Sequence, residues 1–242
     1  MNKNTTKPKS IYRMPGKLWK MLKKHLPKRP KIRKPGRPRV NNRDVLDGIW
    51  HVLWTGCQWK SIEKEWFGVS SSILHERFQT WRKSGLFALL FQKMVKYYAR
   101  ECKIGWKWQS VDSMMSAAPL GGAQTGKNPT DRSKLGSKVH ILVDERGAPL
   151  AIYITGANDH DKWSADDLII HIVVKRPNCE QHFCADKGYD YEDVHQFVGL
   201  HSYIEHIKHR RSIAIRWCKK PENWLAFVHM ACAQVLLNLI FG

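Results

Sequence analysis

Residues 106–115 read WKWQSVDSMM, and how this stretch folds decides the architecture of the chain. Polar and apolar side chains alternate through it, the period of two that a strand shows when one face is buried. Asp112 stands inside the run. Toward the C-terminus, residues 138–143 (KVHILV) and 150–155 (LAIYIT) are rich in β-branched side chains and flank the turn-forming DERG at 144–147. Two such runs about a short turn form a hairpin, so three antiparallel strands are expected.

Beyond the hairpin the spacing predicts a helix over 164–174, a strand at 181–185, a helix over 191–198 and a strand at 202–207. Three strands, helix, strand, helix, strand is the order of a ribonuclease-H-like mixed sheet, an α/β fold. In that order the first and fourth strands are adjacent at the centre. Asp112 lies within the first and Asp186 directly ends the fourth, so both carboxylates can reach a shared metal. Phosphodiester cleavage needs hard oxygen ligands to hold Mg²⁺ or Mn²⁺, and two ions about 4 Å apart can activate a nucleophile while stabilising the leaving oxygen. Lys187 follows Asp186 in the strand-to-helix turn, where Gly188 permits close backbone approach and Lys187 can meet a substrate phosphate. Asp159, His160 and Asp161 read as a loop that caps the next helix, with His160 a lesser candidate to assist near the metal.

Upstream of residue 106 the pattern is helical. Val45, Leu46, Ile49, Val52 and Leu53 recur on one face, with Asn42 or Asp44 to cap the start and Gly56 to stop it. A short helix fits 60–67, and after a turn at Gly68 the serines at 70–72 can cap a third helix carrying Ile73, Leu74, Phe78 and Trp81. This predicts an N-terminal all-α, helix-turn-helix-like domain over 44–101. Its third helix would lie in a DNA major groove and expose His75, Arg77, Gln79 and Arg82. A plain three-helix bundle with a solvated polar face is the alternative.

Charge favours DNA. The chain of 242 residues carries a formal net charge of +20, and residues 1–43 hold 16 Lys or Arg and no acid. Clustered cations gain affinity for a polyanion by releasing its counterions. Around a short helix predicted over 17–26, this front segment reads as a basic arm. The proline-rich run 28–40 is an extended linker whose Arg37 and Arg39 would follow phosphates, and Gly36-Arg37-Pro38 is too short to count as an AT-hook. The six cysteines are scattered, and Cys179, His182, Cys184 and His195 match no standard zinc-finger spacing. The apolar run 224–241 is interrupted by His229, Cys232, Gln234 and Asn238, which predicts a buried amphipathic helix, no membrane span and a cytoplasmic protein. Trp106, Trp108, Trp217 and Trp224 are expected in the core.

Several of these stretches resemble one family. GRPRVNNRDVLDGIWHVLWTGCQWKSI at 36–62 is similar to the DNA-binding front of the insertion-sequence-five transposases, VDSM at 111–114 to their first catalytic strand, and ADKGYD at 185–190 to their second. GSKVHILVDERGAPLAIYITGANDHD resembles the hairpin of the same domain, and KKPENWLAFVHMACA its closing helix. These transposases belong to the DDE group, with a ribonuclease-H-like catalytic domain. The resemblance implies that Asp112 and Asp186 are its two metal-binding aspartates, with Mg²⁺ or Mn²⁺ as cofactor. It implies strand cleavage and transfer at insertion-sequence ends, with the double-stranded terminal repeats as partner, bound by a homodimer.

One part of the family pattern is missing. The third acid, a Glu in a helix with a nearby Arg and Trp, should stand between the basic run and the closing helix. Here His209, Arg210 and Arg211 lead through residues 212–215 straight into RWCKK at 216–220, which reads as an internal deletion. Glu222 matches a non-catalytic Glu of the closing segment and Glu205 falls in the fifth strand, so neither inherits the role. Arg210 and Arg211 can still line a DNA track. The expected organisation is a basic arm and linker (1–43), a helical DNA-binding domain (44–101) and a catalytic domain (102–242) shortened near its end. Two aspartates with a ligand lost should bind DNA well and cleave weakly or not at all. A non-catalytic remnant that represses by occupying DNA is the rival reading.

Overall fold

A computed structural model describes residues 12–27, 38–207 and 221–241 of the chain. Among the described residues, five α-helices come first. Helix α1 (Gly16–Leu22) buries Leu18 and Leu22 and tightens into a 3₁₀ turn at Lys23–His25. Helix α2 (Asn42–Thr55) starts at Asn41, whose side chain accepts from the Arg43 N–H at 3.0 Å, so the cap lies one residue before the expected pair. Its end at Gly56, where φ is 63°, is the predicted one. The helix expected over 60–67 is a 3₁₀ turn at Trp59–Ser61 followed by α3 (Lys64–Phe67). Helix α4 (Ser71–Lys83) crosses α2 at Gly48, where an added Cβ would sit 2.7 Å from a Leu74 methyl, so a larger residue there would push that side chain aside.

Helix α5 (Leu86–Glu101) was not among the expected elements, yet its buried Leu86, Phe87, Leu90, Phe91, Met94, Val95 and Tyr98 keep helical spacing throughout.

The sheet has six strands: β1 (Trp108–Ala117), β2 (Gly126–Lys127), β3 (Leu135–Asp144), β4 (Pro149–Gly156), β5 (Gln181–Ala185) and β6 (Tyr203–Ile207). Strand β3 pairs antiparallel with β1 and β4, and with the two-residue β2 near its start; β5 pairs parallel with β1 and with β6. The order across the main sheet is therefore β4-β3-β1-β5-β6, the ribonuclease-H-like arrangement. Parallel neighbours need crossovers. Helices α6 (Lys162–Ile170) and α7 (Glu192–Leu200) supply them and cover one face, where Leu168, Ile169, Val194 and Val198 pack with Val111, Phe183, Ala185 and Tyr203.

Among the described residues, the other face is only half covered. Helix α8 (Pro221–Phe241) shares a buried cluster with α5 and the β3–β4 side of the sheet, through Met230, Leu236, Leu90, Met94, Val139 and Ile154. That cluster runs continuously across the expected boundary at residues 101/102. Asp144 ties the same region together: its buried carboxylate accepts from Tyr98 Oη at 2.9 Å and from the N–H groups of Gly105, Arg146 and Ala148. The described residues leave the face over β1, β5 and β6 open, and Trp108, Ser110, Asp112, Ile204 and His206 are exposed. Among the described residues no helix is long and apolar enough to cross a membrane.

Candidate metal and nucleic-acid site

The carboxylate pair follows from strand register. Ser110 of β1 pairs with Cys184 of β5, and two residues further along each parallel strand come Asp112 and Asp186. Alternation turns Asp112 onto the open face. Asp186 ends β5 and caps a 3₁₀ turn, Lys187–Tyr189, its Oδ1 accepting from the Gly188 N–H at 3.0 Å. Asp112 Oδ1 accepts from the Ser113 N–H at 2.8 Å. Partial desolvation against the sheet holds the Asp112 carboxyl above the usual carboxylate range; the Ser113 N–H opposes this, and the charges of Asp186 and Asp161 add to it.

Asp161 thus belongs to the same electrostatic neighbourhood. A Cβ on Gly188 would lie 2.7 Å from Asp161 Oδ2 and 3.0 Å from Asp186 Oδ1, so both acids crowd against the turn. Asp161 stands at the start of α6 without capping it. Lys138 holds it instead: the buried Nζ donates to Asp161 Oδ1 at 2.7 Å and to the Asp159 carbonyl at 2.6 Å. Beneath this pair, His140 is fully buried and contacts Tyr189 Oη, Ser164 Oγ and Thr155 Oγ1, each at 2.9 Å. Burial pushes the imidazole down to about 4 and lifts the Tyr189 phenol above its ordinary value, to which the charges of Asp161, Asp186 and Asp112 add. A neutral hydrogen-bonding hub therefore anchors Tyr189, and with it the turn that carries Asp186.

Clustered negative charge on hard oxygens suits Mg²⁺ or Mn²⁺, which takes one or two protein carboxylates and completes its shell with water and phosphate. Asp112 and Asp186 fit that role. Among the described residues, however, no three Asp, Glu, His or Cys side chains converge closely enough to hold an ion together. The two glutamates nearest in sequence to the expected position of a third acid are engaged elsewhere. Glu222 is on α8 beside Arg82, at 3.8 Å, and Glu205 bonds His195 Nδ1 at 2.5 Å. His160 meets Tyr191 Oη at 2.8 Å.

The predicted DNA-contact residues divide. His75 is exposed on α4 and meets Gln79 at 3.3 Å, and Arg82, half-buried, donates from Nε to Gln79 Oε1 at 3.3 Å. Arg77 corrects the expectation of exposure: it is 7% exposed and its Nη1 donates to Asn42 Oδ1 at 2.8 Å. The reason is geometric, since residues 74, 77, 78 and 81 share one helix face and Leu74, Phe78 and Trp81 are core. Arg39 is exposed at a groove lined by Gly68, Ser70, Ile73 and Glu76, and Lys187 is exposed next to Asp186. Arg37, Arg210, Arg211 and Trp217 lie outside the described residues. Trp106 packs against the core as expected, whereas Trp108 does not and is 39% exposed.

Sequence reasoning missed the Lys138–Asp161 pair. Its signal was a lone lysine opening an otherwise apolar strand, which requires a buried partner.

A central mixed sheet bearing two adjacent aspartates is the architecture of a DDE-type catalytic domain, and a model described as "Transposase DDE domain" matches residues 109–217. A second model, "Putative transposase of IS4/5 family", matches residues 14–91. The chain is 42% identical over 154 residues to the "Putative transposase for insertion sequence element IS402" of Burkholderia cepacia, covering 50% of this chain and 72% of the relative. It is 30% identical over 115 residues to the "Insertion element IS402 uncharacterized 16.2 kDa protein" of the same organism, covering 46% and 78%. Solved structures with a similar course include the "Crystal structure of the Mos1 Strand Transfer Complex" at 10% identity and TM-score 0.33, covering 87% of this chain and 80% of that one. Another is the "Mos1 transposase paired-end complex with left transposon end" at 11% identity and TM-score 0.30, where this chain spans 61% of the other. The chain belongs to the IS4/5 family of insertion-sequence transposases.

Proposed function

We propose that this chain binds the double-stranded terminal repeats of an insertion sequence and cleaves strands there slowly, through a divalent cation held by Asp112 and Asp186. The adjacency of these two aspartates on paired parallel strands carries the reading. Mg²⁺ or Mn²⁺, when bound, supplies activation of a water or 3′-hydroxyl and stabilisation of the leaving oxygen. The chain's own residues do the rest. Asp112 and Asp186 position the reacting phosphate, the Tyr189–His140 network keeps the Asp186 turn in place, and exposed Lys187 contacts a neighbouring phosphate.

DNA is held by the helical part over 44–101, with α4 as the groove-reading helix through His75, Gln79 and Arg82, and by the arm bearing Arg39. Arg77 takes no part in base reading; it fastens α4 to α2. The cation requirement, the helix-turn-helix role and the cytoplasmic setting belong to the same proposal.

A second reading is favoured by one observation. Glu205 and Glu222 are both engaged away from the aspartates, so the described residues offer no third carboxylate in the usual place. A two-aspartate site binds its ion weakly and aligns the phosphate loosely, which is the condition of a protein that occupies insertion-sequence ends without cutting them. Mn²⁺ titration followed by the paramagnetic signal of the free ion tests the site itself. The full chain should take up Mn²⁺, and Asp112→Ala and Asp186→Ala should each weaken uptake at least about tenfold while binding of an insertion-sequence-end duplex stays unchanged. Uptake that neither substitution alters would overturn the assignment.

A further inference from the structure

On the open face of the sheet, side chains rise in rungs. The first holds Trp108, His182 and Ile204, paired across β1, β5 and β6; the second holds Ser110, Cys184 and His206; the third reaches Asp112 and Asp186. Trp108 stacks on His182 with ring centroids 4.0 Å apart and planes inclined by 15°. His206 leans against both rings, at 5.0 and 5.1 Å. His182 Nδ1 and His206 Nε2 are 3.0 Å apart, and Glu180 Oε1 lies 3.4 Å from His182 Nε2. If His182 donates to Glu180, its Nδ1 accepts from His206, and both imidazoles are locked. Trp108 nonetheless stays 39% exposed and Ile204 45%. The result is a rigid aromatic platform presented to solvent beside the carboxylate pair.

We propose that this platform stacks an unpaired base of the DNA strand whose phosphate lies at Asp112 and Asp186. The inference deepens the function proposed above and rests on it. Three observations select a nucleobase as occupant. The platform is built from indole and imidazole rings, which offer flat π-faces to a base. It shares strands and face with the two aspartates, Trp108 preceding Asp112 by four residues of β1, a rise of roughly 13 Å. The chain's net charge of +20 draws a phosphate backbone to its surface. The base must be unpaired, because in a duplex each π-face is taken by its stacked neighbour. The ordered rings have little freedom left to lose on binding.

The test uses the full chain and a short oligothymidylate carrying one 2-aminopurine, with a duplex of the same length measured in the same samples. Base stacking on the indole should quench 2-aminopurine on binding. Trp108→Ala should weaken single-strand affinity about tenfold and remove the quenching, Trp108→Phe should keep most of the affinity, and duplex affinity should change less than about twofold in either variant. His206→Ala, which leaves the indole in place, should give a smaller loss. Single-strand affinity unchanged in Trp108→Ala, or falling no more than duplex affinity does, would overturn the platform. Intact duplex binding and Asp112-dependent Mn²⁺ uptake alongside that result would leave the proposed function standing, whereas loss of duplex binding by the unsubstituted chain would bring down both.

Discussion

At the scale of single residues, burial decides which groups carry charge. His140 has no exposed surface and its imidazole is pushed down to about 4, against 6.5 in an unfolded chain. A group whose folded value is depressed contributes stability that is complete above its unfolded value and is lost as pH falls through the window from 6.5 toward 4. The amount at stake for a shift of this size is about 3 kcal/mol. Denaturant unfolding of the chain between pH 7 and pH 5 should show stability falling, and His140→Gln should lower stability at pH 7 and flatten the fall. A slope unchanged in the variant would remove His140 as its source. Some of this was legible beforehand and some was not. Asp112 and Asp186 stood out because one sits inside an alternating strand and the other at a strand end, both readable locally. The Lys138–Asp161 pair was hidden because its partners are 23 residues apart and meet only when β3 and α6 pack. Arg77 misled because a charged side chain at the edge of an apolar stripe was read by type rather than by helix angle.

Among elements, the strongest junction is the one Asp144 makes. Its two oxygens take four donors, from α5, from the connector at Gly105 and from the β3–β4 turn, so one carboxylate fastens the helical part to the sheet. Removing it strands buried donors, each costing about 1–3 kcal/mol. Asp144→Ala should lower unfolding free energy by roughly 3 kcal/mol or more, and Tyr98→Phe, which deletes one partner of the four, by about 1 kcal/mol. Equal losses in the two variants, read by chemical denaturation, would deny the junction its role. Element boundaries were readable where a period ran long enough: the strand at 181–185 matches β5 to the residue. Strand β2 was not readable, because two residues carry no period. Helix α5 carries a full apolar stripe, so its signal was present in residues 86–101 and simply unassigned.

For the whole molecule, what matters is which half of the sheet is covered. Helix α8 packs with α5 over β3 and β4, joining the helical part and the sheet in one core, and the described residues leave β1, β5 and β6 open around the aspartates. No local pattern announces that choice, which is why Trp108 was expected in the core and is found on the surface. The charge was legible from the start: residues 1–43 hold 16 Lys or Arg and no acid, while Asp112 lies in β1 and Asp186 ends β5. The most direct measurement is cleavage of a labelled insertion-sequence-end duplex with Mn²⁺, comparing the chain with Asp112→Ala and Asp186→Ala and recording binding in the same tubes. The account predicts tight binding by all three proteins, slow metal-dependent cutting by the unsubstituted chain, and none by either variant. Tight binding with no cutting by any of the three would establish the non-catalytic reading, and cutting that survives both substitutions would contradict the central claim.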